Sequence, residues 1–258
     1  MGDVVEPRRV GWGAIIAVLA AWLVAGILGA VVGGALTGST DDPYSEAGLL
    51  LGHIALPAAA GLAVTAGAVS LLRRWPDVLR ERLPMRSWAW ALPGAMAVAA
   101  AAFADWSRVA AVGAALVVAL VATALVVAAS EELLFRGLLL TGMRDHLHEL
   151  AAALVSSLLF AAMHMVVAGG LTDIVQGVST FLGGIVYYVA RRVSGGLVVP
   201  VLLHAWWDIC AFSAVLGPGP DSDHRAFESL LVLLVLGVVA LAAWKPLNRL
   251  PDHDRAGA

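Results

Sequence analysis

Charge is scarce in this chain. Only 14% of the 258 residues are Asp, Glu, Lys or Arg, against 60% hydrophobic, and the mean hydropathy is +0.88. That balance excludes a disordered chain and an ordinary water-soluble domain. Cysteine is nearly absent, and the single Cys210 cannot close an intrachain disulfide, so a secreted disulfide scaffold is excluded as well. Lysine occurs once, at Lys245, and the net charge of −3 offers no basic face for nucleic acid. Long polar stretches are missing too. The longest are a basic segment around residues 73–86, a loop at 217–228 and a short C-terminal tail. No soluble domain has room to form, and function must reside in the apolar segments.

What is present is a series of apolar runs, several long enough to cross a hydrocarbon core of about 30 Å as helices rising about 1.5 Å per residue. Eight candidate spans follow: residues 10–36, 47–72, 87–104, 109–143, 149–168, 173–190, 197–216 and 229–244. The fold class is therefore all-α, a polytopic transmembrane helix bundle. The first run is too long for the apolar region of a signal peptide, although Arg8 and Arg9 precede it. Positive residues are retained on the cytoplasmic side. With the N-terminus inside, thirteen of the sixteen cations fall in inner segments, Arg108 and Arg225 fall outside, and Arg136 is embedded in the fourth span. Both termini are expected to face the cytoplasm. Internal repeats are not evident, which weighs against a repeat-built transporter.

Ionisable residues inside spans are costly and usually functional. The fourth span holds Glu131-Glu132-Leu133-Leu134-Phe135-Arg136, the fifth Phe160-Ala161-Ala162-Met163-His164, and the seventh His204-Ala205-Trp206-Trp207-Asp208. His53, in the second span, stands alone. Glu132 and Arg136 are four apart, share a helix face and can pair. Glu131 points about 100° away from Glu132 and is left as a carboxylate in low dielectric, the setting of a general base. The alternative is that both glutamates pair with Arg136 and merely join helices.

Counting from a turn near Leu147, Glu131 lies 16 residues before it and His164 17 after it. In an antiparallel pair both then sit about 24–26 Å from the turn, so carboxylate and imidazole can meet. His204 and Asp208, at i and i+4, add two polar groups on one face of another helix. From the opposite side the depths disagree: about 22 residues separate Glu131 from a helix start near Val109, and about four separate His164 from Gly169-Gly170. Either the hairpin projects into the cytoplasm and the fifth helix ends or kinks at those glycines, beside a wet cavity, or the fourth span begins elsewhere.

Glu-Glu-x-x-x-Arg, Phe-x-x-x-His and His-x-x-x-Asp, in this order on three hydrophobic helices, resemble the motifs of the CPBP (CAAX protease and bacteriocin-processing, or ABI) family of intramembrane proteases. The resemblance spans roughly residues 90–216. It implies a catalytic helical core at 87–216, preceded by a two-helix region with its basic inner loop at 1–86 and followed by an outer loop, a last span and a tail at 217–258. It further implies that Glu131 with His164 activates a water for attack on a peptide carbonyl. His204 and Asp208 would steady the oxyanion, and Glu132, Arg136 and Phe160 would be structural neighbours of the site. At Asp208 the family more often has asparagine, whose amide donates a hydrogen bond where an ionised aspartate repels. Asp208 must therefore be protonated, orient His204, or bind a cation.

Glu131, His164, His204 and Asp208 together would also make a zinc set, but HExxH is lacking and two isolated histidines are no metal signature, so a metal-free glutamate mechanism is favoured. The expected function is an intramembrane endopeptidase of the bacterial plasma membrane, acting on a membrane-associated or lipid-modified peptide. The alternatives are a non-catalytic relative (bacteriocin self-immunity or a scaffold) and, further off, a proton-coupled transporter.

Overall fold

The computed structural model describes residues 9–167, 174–217 and 223–245. Gly169 and Gly170, residues 218–222 of the outer loop, Arg8, Arg249, Arg255 and both chain ends lie outside the described residues. The fold is all-helical, because Ala-, Leu- and Val-rich runs satisfy their own backbone polar groups in the helix and need no partner strand. In chain order the helices are α1 (Trp12–Thr37), α2 (Ala47–Leu71), α3 (Trp75–Leu79), α4 (Ser87–Phe103), α5 (Trp106–Ala111), α6 (Ala114–Met143), α7 (Glu149–Val167), α8 (Ile174–Ser194), α9 (Val198–Phe212) and α10 (Asp223–Ala242). Each expected span contains a helix. Among the described residues three helices, α1, α2 and α6, are long and apolar enough to cross a membrane. Their outward faces are bare hydrocarbon, including Ile16, Leu28, Val31, Leu36, Leu71 and Val118.

The fourth span begins later than its apolar run suggests. Asp105 caps α5 by accepting from the backbone N–H of Arg108 at 3.2 Å, and α6 starts only after Gly113. This places Glu131 17 residues into α6 rather than 22, which narrows the mismatch in depth with His164 by five residues and leaves the larger part of it. α6 is also irregular. Directly after Glu132 its backbone passes through a π-helical segment, Leu133–Leu139, a feature frequent at functional sites.

The loops sort to two ends. At one end Arg191 donates to Glu81 (3.0 Å) and to the carbonyls of Asp77, Val78 and Arg80. Arg144 joins Glu81 and Glu149, and Arg192 reaches Glu149, Tyr188 and the carbonyls of Leu83 and Pro84. Burial alone lowers the affinity of Arg144 for its proton, but the Glu149 and Glu81 carboxylates outweigh it and hold the guanidinium above its ordinary value. Gly195, at φ 79, turns the chain between α8 and α9 in a conformation that disfavours a side chain. Next to it Gly196 lies so close to the Leu79 carbonyl that a Cβ would stand 2.7 Å from its oxygen. Val10 is tied to the same end through Asp145 (2.9 Å) and His146 (2.7 Å).

At the other end Arg108 donates to the carbonyls of Ala214, Leu216 and Gly217, and Tyr44 packs on Phe212. Burial pushes the Tyr44 hydroxyl above its ordinary pKa. His53, for which the sequence suggests no partner, meets the Gly38 carbonyl there at 2.9 Å.

Candidate active site

Three helices bring the expected residues together. Glu131 and Glu132 come from α6, Phe160 and His164 from α7, and His204 and Asp208 from α9. A fourth helix, α8, adds Tyr187. Glu132 is fully buried, and its Oε1 accepts from Arg136 Nη1 at 2.8 Å and from His204 Nδ1 at 2.9 Å. The i, i+4 pair with Arg136 therefore exists as its spacing suggests, and the same oxygen orients a histidine from another helix. The Arg136 guanidinium lies over the Phe160 ring at 4.1 Å and the Tyr187 ring at 5.2 Å. These aromatic faces offset part of its desolvation.

Glu131 occupies a different face. Its Oε2 stands 3.7 Å from His164 Nε2 and 3.7 Å from His204 Nε2. Asp208 Oδ2 is likewise 3.7 Å from His204 Nε2. These separations exceed direct hydrogen bonds and suit one small molecule bridging the groups. The imidazole protons follow from the remaining contacts. His164 Nδ1 faces the Phe160 carbonyl at 3.0 Å, and a carbonyl only accepts, so Nδ1 carries the hydrogen and Nε2 is the free lone pair of the neutral ring. His204 Nδ1 likewise donates to Glu132, leaving Nε2 toward Glu131 and Asp208. Side-chain exposure is 28% for His164 and 14% for Glu131, but 4% for His204, so the site opens along the Glu131–His164 side. Glu131 Oε2, Glu132 Oε2 and Asp208 Oδ2 are buried without a hydrogen-bond partner among the described residues. Their accepting capacity is open to water or substrate.

Phe160 is the hub of the packing, edge-on to His164 (4.5 Å), His204 (5.7 Å) and Phe135 (5.2 Å). Tyr187 stacks on His204 with centroids 4.7 Å apart and planes at 17°. It was not legible as a site residue, since no motif contains it. The one available signal is that two of the three tyrosines in the chain stand side by side at 187 and 188 in an apolar run. As to metals, no three His, Cys, Asp or Glu side chains among the described residues are arranged to ligate an ion.

Residues 113–210 match the family model described as type II CAAX prenyl endopeptidase Rce1-like. That is the CPBP family which the three motifs resemble. The match takes in all of α6, α7 and α8 and most of α9, and with them every residue of the site. Among curated proteins, none matches the chain. The match over residues 113–210 and the apolar helices together support an integral membrane protein whose central helices are similar to an intramembrane protease family.

Proposed function

We propose that this CPBP chain is an intramembrane endopeptidase that hydrolyses a peptide bond of a membrane-associated or lipid-modified substrate. The reading rests on one observation: Glu131 Oε2 stands 3.7 Å from Nε2 of two histidines on two other helices. A water held there has a base, Glu131, assisted by His164. It loses a proton to Glu131 as its oxygen adds to the carbonyl carbon. Glu131 then passes that proton to the leaving amine as the C–N bond breaks. His204, protonated on both nitrogens, commits its Nδ1–H to Glu132 and presents its Nε2–H to the developing oxyanion, and Asp208 stands beside it in protonated form as a second donor. The mechanism needs no metal. The protein resides in the bacterial plasma membrane with both termini cytoplasmic, and its catalytic core is residues 87–216. The arginine-rich end, with Arg144, Arg191 and Arg192, faces the cytoplasm, and the substrate enters from that side.

The test uses purified full-length protein in proteoliposomes and a fluorogenic lipid-anchored peptide. Glu131→Gln and His164→Ala are expected to lower turnover by about 10²–10⁴-fold, the usual contribution of a general base, with unfolding temperatures unchanged. Asp208→Asn keeps activity because the amide still donates, and Asp208→Ala loses it. Cleavage survives exhaustive chelation. Unchanged turnover in the Glu131 variant rejects the assignment, and loss on chelation with recovery on zinc rejects the metal-free mechanism.

A further inference from the structure

A single hydrogen bond fixes a direction but not a plane. His204 is held at Nδ1 by Glu132, and about that axis the imidazole is free to pivot unless something rests against its face. Any pivot swings Nε2 off the line toward Glu131 and Asp208. The face is covered by Tyr187, with 4.7 Å between centroids and planes at 17°. From another direction Phe160 meets the ring edge-on at 90°. Tyr187 is itself immobilised: it is 3% exposed, sits among the fully buried Ile185, Val186 and Val189, and lies beneath the Arg136 guanidinium. One phenol ring therefore touches both ends of the Arg136–Glu132–His204 chain.

We infer that Tyr187 is a positioning residue, whose ring face sets the plane of the His204 imidazole so that Nε2 points into the site. This rests on the proposed role of His204 in peptide hydrolysis. The ring carries the effect and the hydroxyl does not. The groups that face His204 from the surrounding helices are Glu131, Glu132 and Arg136 on α6, Phe160 on α7, Tyr187 on α8 and Asp208 on its own helix. Substitution of Tyr187 leaves all the charges in place and alters only the fit of the ring.

Two measurements on the full chain test this. In the first, nitrogen NMR of histidine-labelled protein in micelles, with the His204 signals assigned by their loss in His204→Gln, reports tautomer and hydrogen bonding without reference to activity. Wild type and Tyr187→Phe are expected to show one His204 ring protonated on both nitrogens, with a hydrogen-bonded Nδ1–H. In Tyr187→Leu, and in Tyr187→Met, which keeps more of the side-chain length should the leucine variant fail to fold, the Nδ1 signal loses its hydrogen-bonded shift and the ring signals broaden. In the second, peptide cleavage, Tyr187→Phe stays within about threefold of wild type. The leucine or methionine variant loses about tenfold or more in kcat with little change in KM, as expected for a misaimed group rather than lost substrate contacts. The inference is overturned if the folded leucine or methionine variant keeps the wild-type His204 spectrum, or if Tyr187→Phe falls as far as Tyr187→Leu. If Glu131→Gln still cleaves peptide, the hydrolytic reading fails, and the spectra alone then decide the role of Tyr187.

Discussion

Removing the Glu132 side chain tests whether one oxygen ties the core of the site together. In Glu132→Ala the Arg136 guanidinium, 1% exposed, keeps its charge and loses its only close carboxylate contact among the described residues. His204 loses the acceptor for its Nδ1–H at the same time. Breaking a buried ion pair by removing one partner costs about 3–5 kcal/mol, because the remaining charge stays desolvated and uncompensated. At about 2–4 °C per kcal/mol for a chain of this size, the unfolding midpoint in detergent should fall by roughly 6–20 °C. The aromatic faces of Phe160 and Tyr187 soften the loss and argue for the lower half of that range. The control is the double variant Glu132→Gln/Arg136→Met. It removes both charges while the amide oxygen still accepts from His204, and neutral replacement of a buried pair is often tolerated. It should recover most of the midpoint. A fall of under about 3 °C in the alanine variant, or a double variant no more stable than the single, refutes the idea that Arg136 depends on Glu132 for its charge balance.

Two further substitutions probe the packing around this chain. A Cβ at Gly184 would stand 2.8 Å from Arg136 Nη2 and 3.0 Å from Ser157 Cβ, whereas one at Gly183 meets nothing nearer than 3.7 Å. Gly184→Ala should therefore cost about 1–3 kcal/mol by overpacking and lower cleavage by displacing Arg136. Gly183→Ala, by contrast, should be neutral or gain up to about 1 kcal/mol from helix propensity, and equal thermal melts for the two would refute the close approach. At the far end of the bundle, Arg108→Ala strips a charged donor from three carbonyls, a loss of about 2–3 kcal/mol. It should speed proteolysis near residues 213–217, and Arg108→Lys should not restore it, since a point ammonium cannot span the three acceptors. Wild-type protease resistance in Arg108→Ala would count against this anchoring.

Helix content and approximate helix positions were legible because hydropathy and length alone govern them in an apolar chain. Depth was legible as well: the count from Leu147 puts Glu131 and His164 level, and their side chains stand 3.7 Å apart. The start of α6 was hidden because Val109–Val112 continue the apolar run, and only Gly113 and the Asp105 cap reveal the break. Glu132 could be paired with Arg136 by spacing, but its bond to His204 crosses 72 residues, a tertiary fact that no local pattern carries. The π segment and the stacking of Tyr187 depend on how helices pack, and leave no periodic trace either.

For the proposed hydrolysis, the division between the two adjacent glutamates has a consequence in low dielectric. Arg136 and Glu132 close one charge pair and, once closed, need not change protonation. What remains on the accessible side is a balanced set, two carboxyl groups (Glu131 and Asp208) and two imidazoles (His164 and His204), linked through Nε2 contacts of 3.7 Å. Protons can move among these four groups, and between them and a bound water, without changing the total charge buried in the membrane. Creating a new isolated charge there is the expensive step, and a balanced set avoids it. In such a set an aspartate at position 208 is workable: a proton on Asp208 makes it a donor like an amide, and a proton moved from it to Glu131 leaves an Asp208–His204 ion pair rather than a lone charge. Asparagine at 208 removes one acid from that set while keeping a donor. Asp208→Asn should therefore support turnover with a changed pH profile, a separation of effects that a purely steric role for Asp208 would not produce.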